Sequence, residues 1–226
     1  MKLIARLAMF LSFLIMVQYA NAASNNVYVD QIGDGSTITF TQTGAGNNIG
    51  DSATHAGFTG SNNTVTVDQI GNQNTAALTV NGSGNNITST TTGNNNTTSI
   101  QCNPCTTNTI TDTVTGNGNV INHTNDSSAS TSTVTVGSDN NTVNITNNST
   151  NTSGAQSTVN ISGGGGNNVD ILQTDSAGAN GHTVDLAIVG ATNTATIHQG
   201  GTVDSNVQAT ITGSGNTLTV HSNTSM

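Results

Sequence analysis

The chain has 226 residues, of which 32% are hydrophobic and 6% charged, with a formal net charge of −9. An ordinary soluble domain is about 25% charged, so this is not an ordinary enzyme composition. The two basic residues are Lys2 and Arg6, so nothing beyond them offers fixed positive charge to a nucleic acid. Helix formers do not dominate, which argues against a helical bundle, and charge is too scarce for a solvated disordered tail.

Residues 1–22 read as a secretory signal. Lys2 and Arg6 form a positive start, residues 7–17 an apolar stretch, and Ala20-Asn21-Ala22 a small-x-small cleavage site. The apolar stretch breaks at Gln18, short of the roughly 20 residues a membrane span needs. Residues 23–226 are expected to form one repeat domain of a secreted product, with no membrane span in it.

From residue 25 onward the chain is punctuated by one phrase. Gly-x-Gly-Asn, followed by Asn or Thr and an aliphatic residue, occurs at 44–49, 82–87, 164–169 and 213–218, with a variant at 116–121. Val-Asp-Gln-Ile-Gly occurs at 29–33 and again at 67–71. Through the middle, Asn recurs at Asn63, Asn74, Asn85, Asn96, Asn108 and Asn119, in steps of 11, 11, 11, 12 and 11. Between these phrases lie runs of period two, such as Val65-Thr66-Val67, Leu78-Thr79-Val80, Val143-Asn144-Ile145 and Leu218-Thr219-Val220. Such alternation marks half-buried strands. Gly supplies positive φ, and the Asn side chain can close a tight turn.

Two units of about 11 residues make one coil of about 22, and about eight coils fit the chain. The expected fold is therefore all-β: a β-solenoid of short strand-turn-strand repeats with cross-β stacking. Each coil is too thin to bury a core alone, so stacking must bury the Val and Ile columns. Equivalent Asn and Gln side chains then lie above one another and can hydrogen-bond along the stack. The ladder positions expected are Gln31, Gln42, Gln69, Gln173 and Gln199, with Asn47, Asn74, Asn85, Asn96, Asn108, Asn119, Asn167 and Asn216. Gly33, Gly71, Gly84 and Gly215 are expected at turns. No charged or proline-bearing cap marks either end, and bare strand edges template another copy.

The residues resemble the curlin repeat of secreted curli subunits, Ser/Asn-x5-Gln-x-Gly-x2-Asn-x-Ala-x3-Gln. Asn63, Gln69, Gly71, Asn74 and Ala76 match it in order, with Val80 at the last Gln position. Asn25, Gln31, Gly33 and Gln42 follow it in a second copy, with Ser36 at the Asn position and Ile38 at the Ala position. The first spacing returns at Asn167 and Gln173, and at Asn193 and Gln199. The resemblance implies an extracellular, curli-like functional amyloid: a homopolymer serving biofilm matrix and adhesion, served by a nucleator subunit and outer-membrane export machinery.

The remaining signals carry less. Cys102 and Cys105 flank the single proline, Pro104; in an exported chain a local disulfide is expected, with a free or intermolecular thiol, or a redox or metal role, as alternatives. His55, His123, His182, His198 and His221 follow no ligand spacing and read as surface positions. Residues 163–170 approximate a calcium nonapeptide, but Asn168 and Asp170 stand where Asp and an aliphatic residue belong, so no metal site is assigned. No nucleophile elbow Gly-x-Ser-x-Gly occurs; no catalytic residue and no cofactor is expected. Thr-x-Thr recurs at 37–39, 64–66, 109–111, 113–115, 133–135, 194–196, 210–212 and 217–219. Outward Thr pairs on a flat face suit ice binding, the alternative function, but along the sequence they skip units and shift within them. A discrete surface adhesin is the third reading.

Overall fold

A computed structural model describes residues 24–54, 56–106, 108–125, 129–148, 154–174 and 181–224. The signal peptide expected over residues 1–22 lies outside them. In chain order the strands are β1 (Asn26–Val27), β2 (Val29–Ile32), β3 (Thr37–Thr43), β4 (Asn48–Ile49), β5 (Ala56–Thr59), β6 (Thr64–Ile70), β7 (Thr75–Ser83), β8 (Asn86–Thr92), β9 (Thr97–Thr106) and β10 (Thr109–Thr115). They continue as β11 (Val120–Asn125), β12 (Thr131–Val136), β13 (Thr142–Asn148), β14 (Gln156–Ser162), β15 (Asn168–Thr174), β16 (Thr183–Val189), β17 (Thr194–Gly201), β18 (Asn206–Thr212) and β19 (Thr217–Thr224).

Each strand pairs in parallel with the strand one coil away, and the coils climb as a β-solenoid. One sheet runs β1-β4-β7-β9-β11-β13-β15-β17-β19, with β2 and β5 completing its first two levels. The facing sheet runs β18-β16-β14-β12-β10-β8-β6-β3. We call these the long and the short sheet. A coil therefore contributes one level to each, about eight coils in all, and successive levels are offset by 22 to 27 residues. The six evenly spaced asparagines of the sequence are half-coil marks. Asn74, Asn96 and Asn119 close turns from the short sheet to the long; Asn63, Asn85 and Asn108 close the opposite turns.

Strand parity builds the core. In β6 and β14, alternate residues are fully buried and the rest are exposed, apart from half-buried Asp68. Stacked inward positions make two apolar clusters. One gathers Ile38, Phe40, Phe58, Val65, Val67, Leu78, Val80, Ile87, Ile100 and Ile110; Phe40 and Phe58 meet with ring centroids 6.2 Å apart. The other runs from Val114 through Ile145, Ile171, Leu186 and Ile197 to Ile211. Parallel strands buried on the inward face are joined here by short connections, four residues at 71–74, 93–96 and 116–119, rather than by helices, which is possible because the chain crosses to the other sheet.

Glycine is required where turns of successive coils touch. Gly71 has φ +119°, and a Cβ on it would overlap the carbonyl oxygen of Gly93 in the coil above. The turn from the short to the long sheet is thus Gly-x-x-Asn, with its third residue left-handed: Gly46, Gln73, Asn95 and Gly118 have φ between 57° and 69°. Gly71 takes the first place of such a turn and Gly215 the third; Gly33 and Gly84 stand in the turns from the long sheet back to the short, ahead of Ser36 and Asn85, and all four have positive φ.

Candidate functional site

The most regular construction in the molecule is the asparagine column at the turn from short to long sheet. Asn25, Asn47, Asn74, Asn96, Asn119, Asn141, Asn167, Asn193 and Asn216 lie one above another. Each backbone N–H from Asn47 on donates to the side-chain Oδ1 of the Asn one coil earlier, at 2.9–3.1 Å. The Nδ2 groups of Asn47, Asn74, Asn96, Asn167 and Asn193 donate to the first-position glycine carbonyl of the next coil at 2.8–2.9 Å. Those from Asn47 to Asn193 are buried. Each of these five amides therefore satisfies an N–H and a glycine carbonyl of the next coil, which a buried turn could not leave unpaired.

A second, more varied column closes the opposite turn: Ser36, Asn63, Asn85, Asn108, Ser130, Ala155, His182 and Ser205. Asn85 Nδ2 donates to Asn63 Oδ1 at 2.9 Å, and the Ser130 N–H donates to Asn108 Oδ1 at 2.9 Å. The eight asparagines expected as ladder positions are therefore divided between two columns: Asn85 and Asn108 stand here, the others in the first. An outer ladder, exposed, joins Asn72, Asn94, Asn117 and Asp139.

The glutamines form no single ladder. Gln42 and Gln69 are paired in the short sheet, Nε2 to Oε1 at 2.9 Å. Gln173 and Gln199 are paired in the long sheet at 2.8 Å. All four are buried, and their amides reach the opposite sheet, donating to the carbonyls of Asn26, Asn48, Gln156 and Thr183. Gln31 stands apart, in register with Phe58.

Two of the histidines read as surface positions are in the interior. His123 Nε2 lies 2.8 Å from Asp112 Oδ1, with both side chains wholly buried. They face each other across the core from the long and short sheets, between the two apolar clusters. Asp112 Oδ2 and His123 Nδ1 have no hydrogen-bond partner, nor do Ser89 Oγ, Thr98 Oγ1 or either amide atom of Asn125. Parity was the missed signal: Asp112 alternates with Ile110 and Val114, and His123 with Ile121 and Asn125, in the inward phase. His182 is also buried. It replaces Asn at a turn, with Nδ1 accepting the Ser205 N–H at 3.2 Å. His198 and His221, by contrast, are stacked edge-to-face on the outside of the long sheet, centroids 5.1 Å apart. His55 lies outside the described residues.

The backbones of Cys102 and Cys105 belong to β9, where the register with β7 slips by one residue between Val80 and Gly82. Their side chains, and so the expected disulfide, lie outside what is described. Among the described residues no group of three or more His, Cys, Asp or Glu converges, and no helix is long and apolar enough to cross a membrane.

The outer face of the short sheet is a threonine array. Thr39, Thr66, Thr88, Thr111, Thr133 and Thr158 are in register across six successive strands. Thr90, Thr113 and Thr135 form a second row, and Thr109 with Thr131 part of a third. The irregular spacing along the sequence disappears once the offset of each coil is taken into account. The outer face of the long sheet is mixed: its central row reads Ser99, Asn122, Asn144, Asp170 and Thr196.

Residues 60–90 match the family model of the curlin associated repeat. The matched segment holds β6, β7 and most of β8 with their turns, including Asn63, Gln69, Gly71, Asn74 and Ala76. No curated protein and no solved structure matches the chain.

Proposed function

We propose that this curlin-repeat chain is the structural subunit of a secreted, curli-like amyloid fibre, growing by end-to-end stacking of strands, for matrix formation and adhesion. The observation that carries it is the asparagine column. Each repeat unit donates its N–H to the coil before it and accepts one from the coil after it, so nothing in it terminates the stack. Among the described residues, β1 and β3 at one end and β18 and β19 at the other each pair with one neighbouring strand, and a strand edge is a template for pairing with another chain. Gln42 with Gln69 and Gln173 with Gln199 add buried side-chain ladders of the kind that strengthen cross-β assemblies. The reading assigns the chain no reaction, and assigns it a homopolymer with an export apparatus and a nucleating subunit as partners.

The test is growth from diluted denaturant, followed by circular dichroism and thioflavin fluorescence, with and without preformed seeds. A disordered start, a lag abolished by seeds and a β-rich fibre are expected. An immediately folded monomer that seeds do not recruit would sink the proposal. Replacing Gln69 and Asn74 together by Ala lengthens the lag at matched concentration.

A second reading rests on the threonine array. Its rows repeat at about 4.7–4.9 Å across strands and at about 6.6 Å along them, a flat hydroxyl and methyl lattice able to order water into ice-like rows. Thermal hysteresis in the soluble chain, abolished by Thr111→Lys in the six-residue row, is the expected signature of that activity.

A further inference from the structure

The outer face of the long sheet holds a cluster that the asparagine and glutamine ladders do not use. His198 in β17 and His221 in β19 are register partners. Ile197 and Gln199, on either side of His198, are buried, so strand parity turns His198 outward; His221 is exposed. Their ring centroids are 5.1 Å apart and the rings meet at 83°. Asp170 of β15 lies diagonally across, its Oδ2 4.0 Å from His198 Nε2, with side chains 50% and 38% exposed. Leu172 fills the place beside His198 on the other side.

We propose that His198 and His221 form a two-imidazole site for a divalent transition-metal cation, copper(II) ahead of nickel and zinc, with Asp170 as its neighbouring carboxylate. Imidazole suits these three ions, and affinity for a given nitrogen site peaks at copper. Calcium and magnesium prefer oxygen donors.

The backbone brings the two rings together before any ion arrives. The Asn216 N–H donates to Asn193 Oδ1 at 2.9 Å and the Thr194 N–H to Asn216 O at 2.8 Å, which pins β19 on β17 at the start of both strands. The histidines that follow cannot slip past each other. Nitrogen ligands sit about 2.0–2.1 Å from such an ion, so two imidazoles sharing it have centroids about 4.5–5.2 Å apart. The observed 5.1 Å meets this, and binding needs only rotation of exposed rings, with no movement of strands. Among the described residues no group of three His, Cys, Asp or Glu converges, so the ion takes two protein ligands and completes its coordination with water. Asp170 contributes charge. Beyond Arg6 the sequence has no Lys or Arg, so no fixed positive side chain opposes a cation on this face.

The test uses the folded, β-rich chain, monomer or fibre, carrying Cys102→Ser and Cys105→Ser so that thiols do not compete. Copper(II) titration, followed by calorimetry and electron paramagnetic resonance, should show one ion per chain held by two nitrogen donors. His198→Gln or His221→Gln should weaken binding about tenfold or more, because the second imidazole acts at the high effective concentration of a tethered ligand. Asp170→Asn should weaken it severalfold, and His55→Gln should leave it unchanged. Moving the second ring out of the row, by His221→Gln with Thr219→His, keeps the number of imidazoles and should not restore binding. Affinity that survives loss of both histidines, or returns with the displaced ring, overturns the site. So does binding no tighter than in denaturant, where the rings are no longer side by side. Failure of fibre growth would overturn the functional reading alone, since the site needs only the register of β17 with β19.

Discussion

A single asparagine in the turn column holds three coils together. Asn96 Nδ2 donates to Asn74 Oδ1 and to Gly116 O, and its Oδ1 accepts from the Asn119 N–H. Asn96→Ala strands buried backbone groups, each costing about 1–3 kcal/mol. Denaturant unfolding should show a loss of about 3 kcal/mol, against roughly 0.5 kcal/mol or less for Asn94→Ala in the outer ladder. The Asp112–His123 pair has the opposite logic. Breaking it by Asp112→Val alone leaves His123 buried without its partner and should cost about 3–5 kcal/mol. The double substitution Asp112→Val with His123→Ile extends the aliphatic columns of Val134 and Ile145 and should restore or exceed the parent's stability. A double variant no more stable than the single one would show that the pair is not the source of the penalty.

At the scale of the element, the turn and the strand were legible to different depths. Alternation and Gly-x-x-Asn phrases are local, so strand existence and turn position could be read from the chain. Which asparagines share a column could not, because adjacent turns belong to opposite sides of the coil. Nor could the division of the glutamines, since Gln42 and Gln173 occupy the same strand phase in different sheets. Of the histidines, His123 escapes a reading by residue type because parity decides its place: it is polar, but its neighbours two residues away are inward. The threonine rows were hidden by coil offsets that vary with loop length. First-position glycines are the least replaceable part of an element. Gly71→Ala puts a side chain on left-handed backbone against the Gly93 carbonyl. The strain alone is about 1–3 kcal/mol, and the thermal midpoint should fall more than for Gly215→Ala, whose Cβ meets nothing within 4 Å.

For the whole molecule, the polar layer around Asp112 and His123 divides the apolar interior into two clusters. A solenoid's stability is a sum of repeats and their nearest-neighbour interfaces, so a weak interface in the middle separates the behaviour of the halves. Unfolding monitored by hydrogen exchange should release residues 26–110 and residues 114–211 at different denaturant concentrations. The Asp112→Val, His123→Ile double variant should merge the two transitions and steepen the denaturant dependence. Coincident release in the parent chain would mean the layer is no weaker than its neighbours. The solenoid as a whole was legible, since period and turn chemistry agree over nearly the entire chain; the fault line within it depends on contacts between strands eleven residues apart.

The head-to-tail bonding of the asparagine column, each unit donating to the coil before it and accepting from the coil after it, has a consequence for inheritance. A gene encoding such a column can lose or gain whole coils through unequal recombination between similar repeats, and the protein survives. Removing residues 75–96 would join Asn74 to Thr97, with one turn of the ladder gone and the pattern of donors and acceptors unbroken. Length in this molecule is thus a quantity that can drift in steps of one coil while the architecture stays constant, and relatives differing by whole coils are the variation that its structure permits.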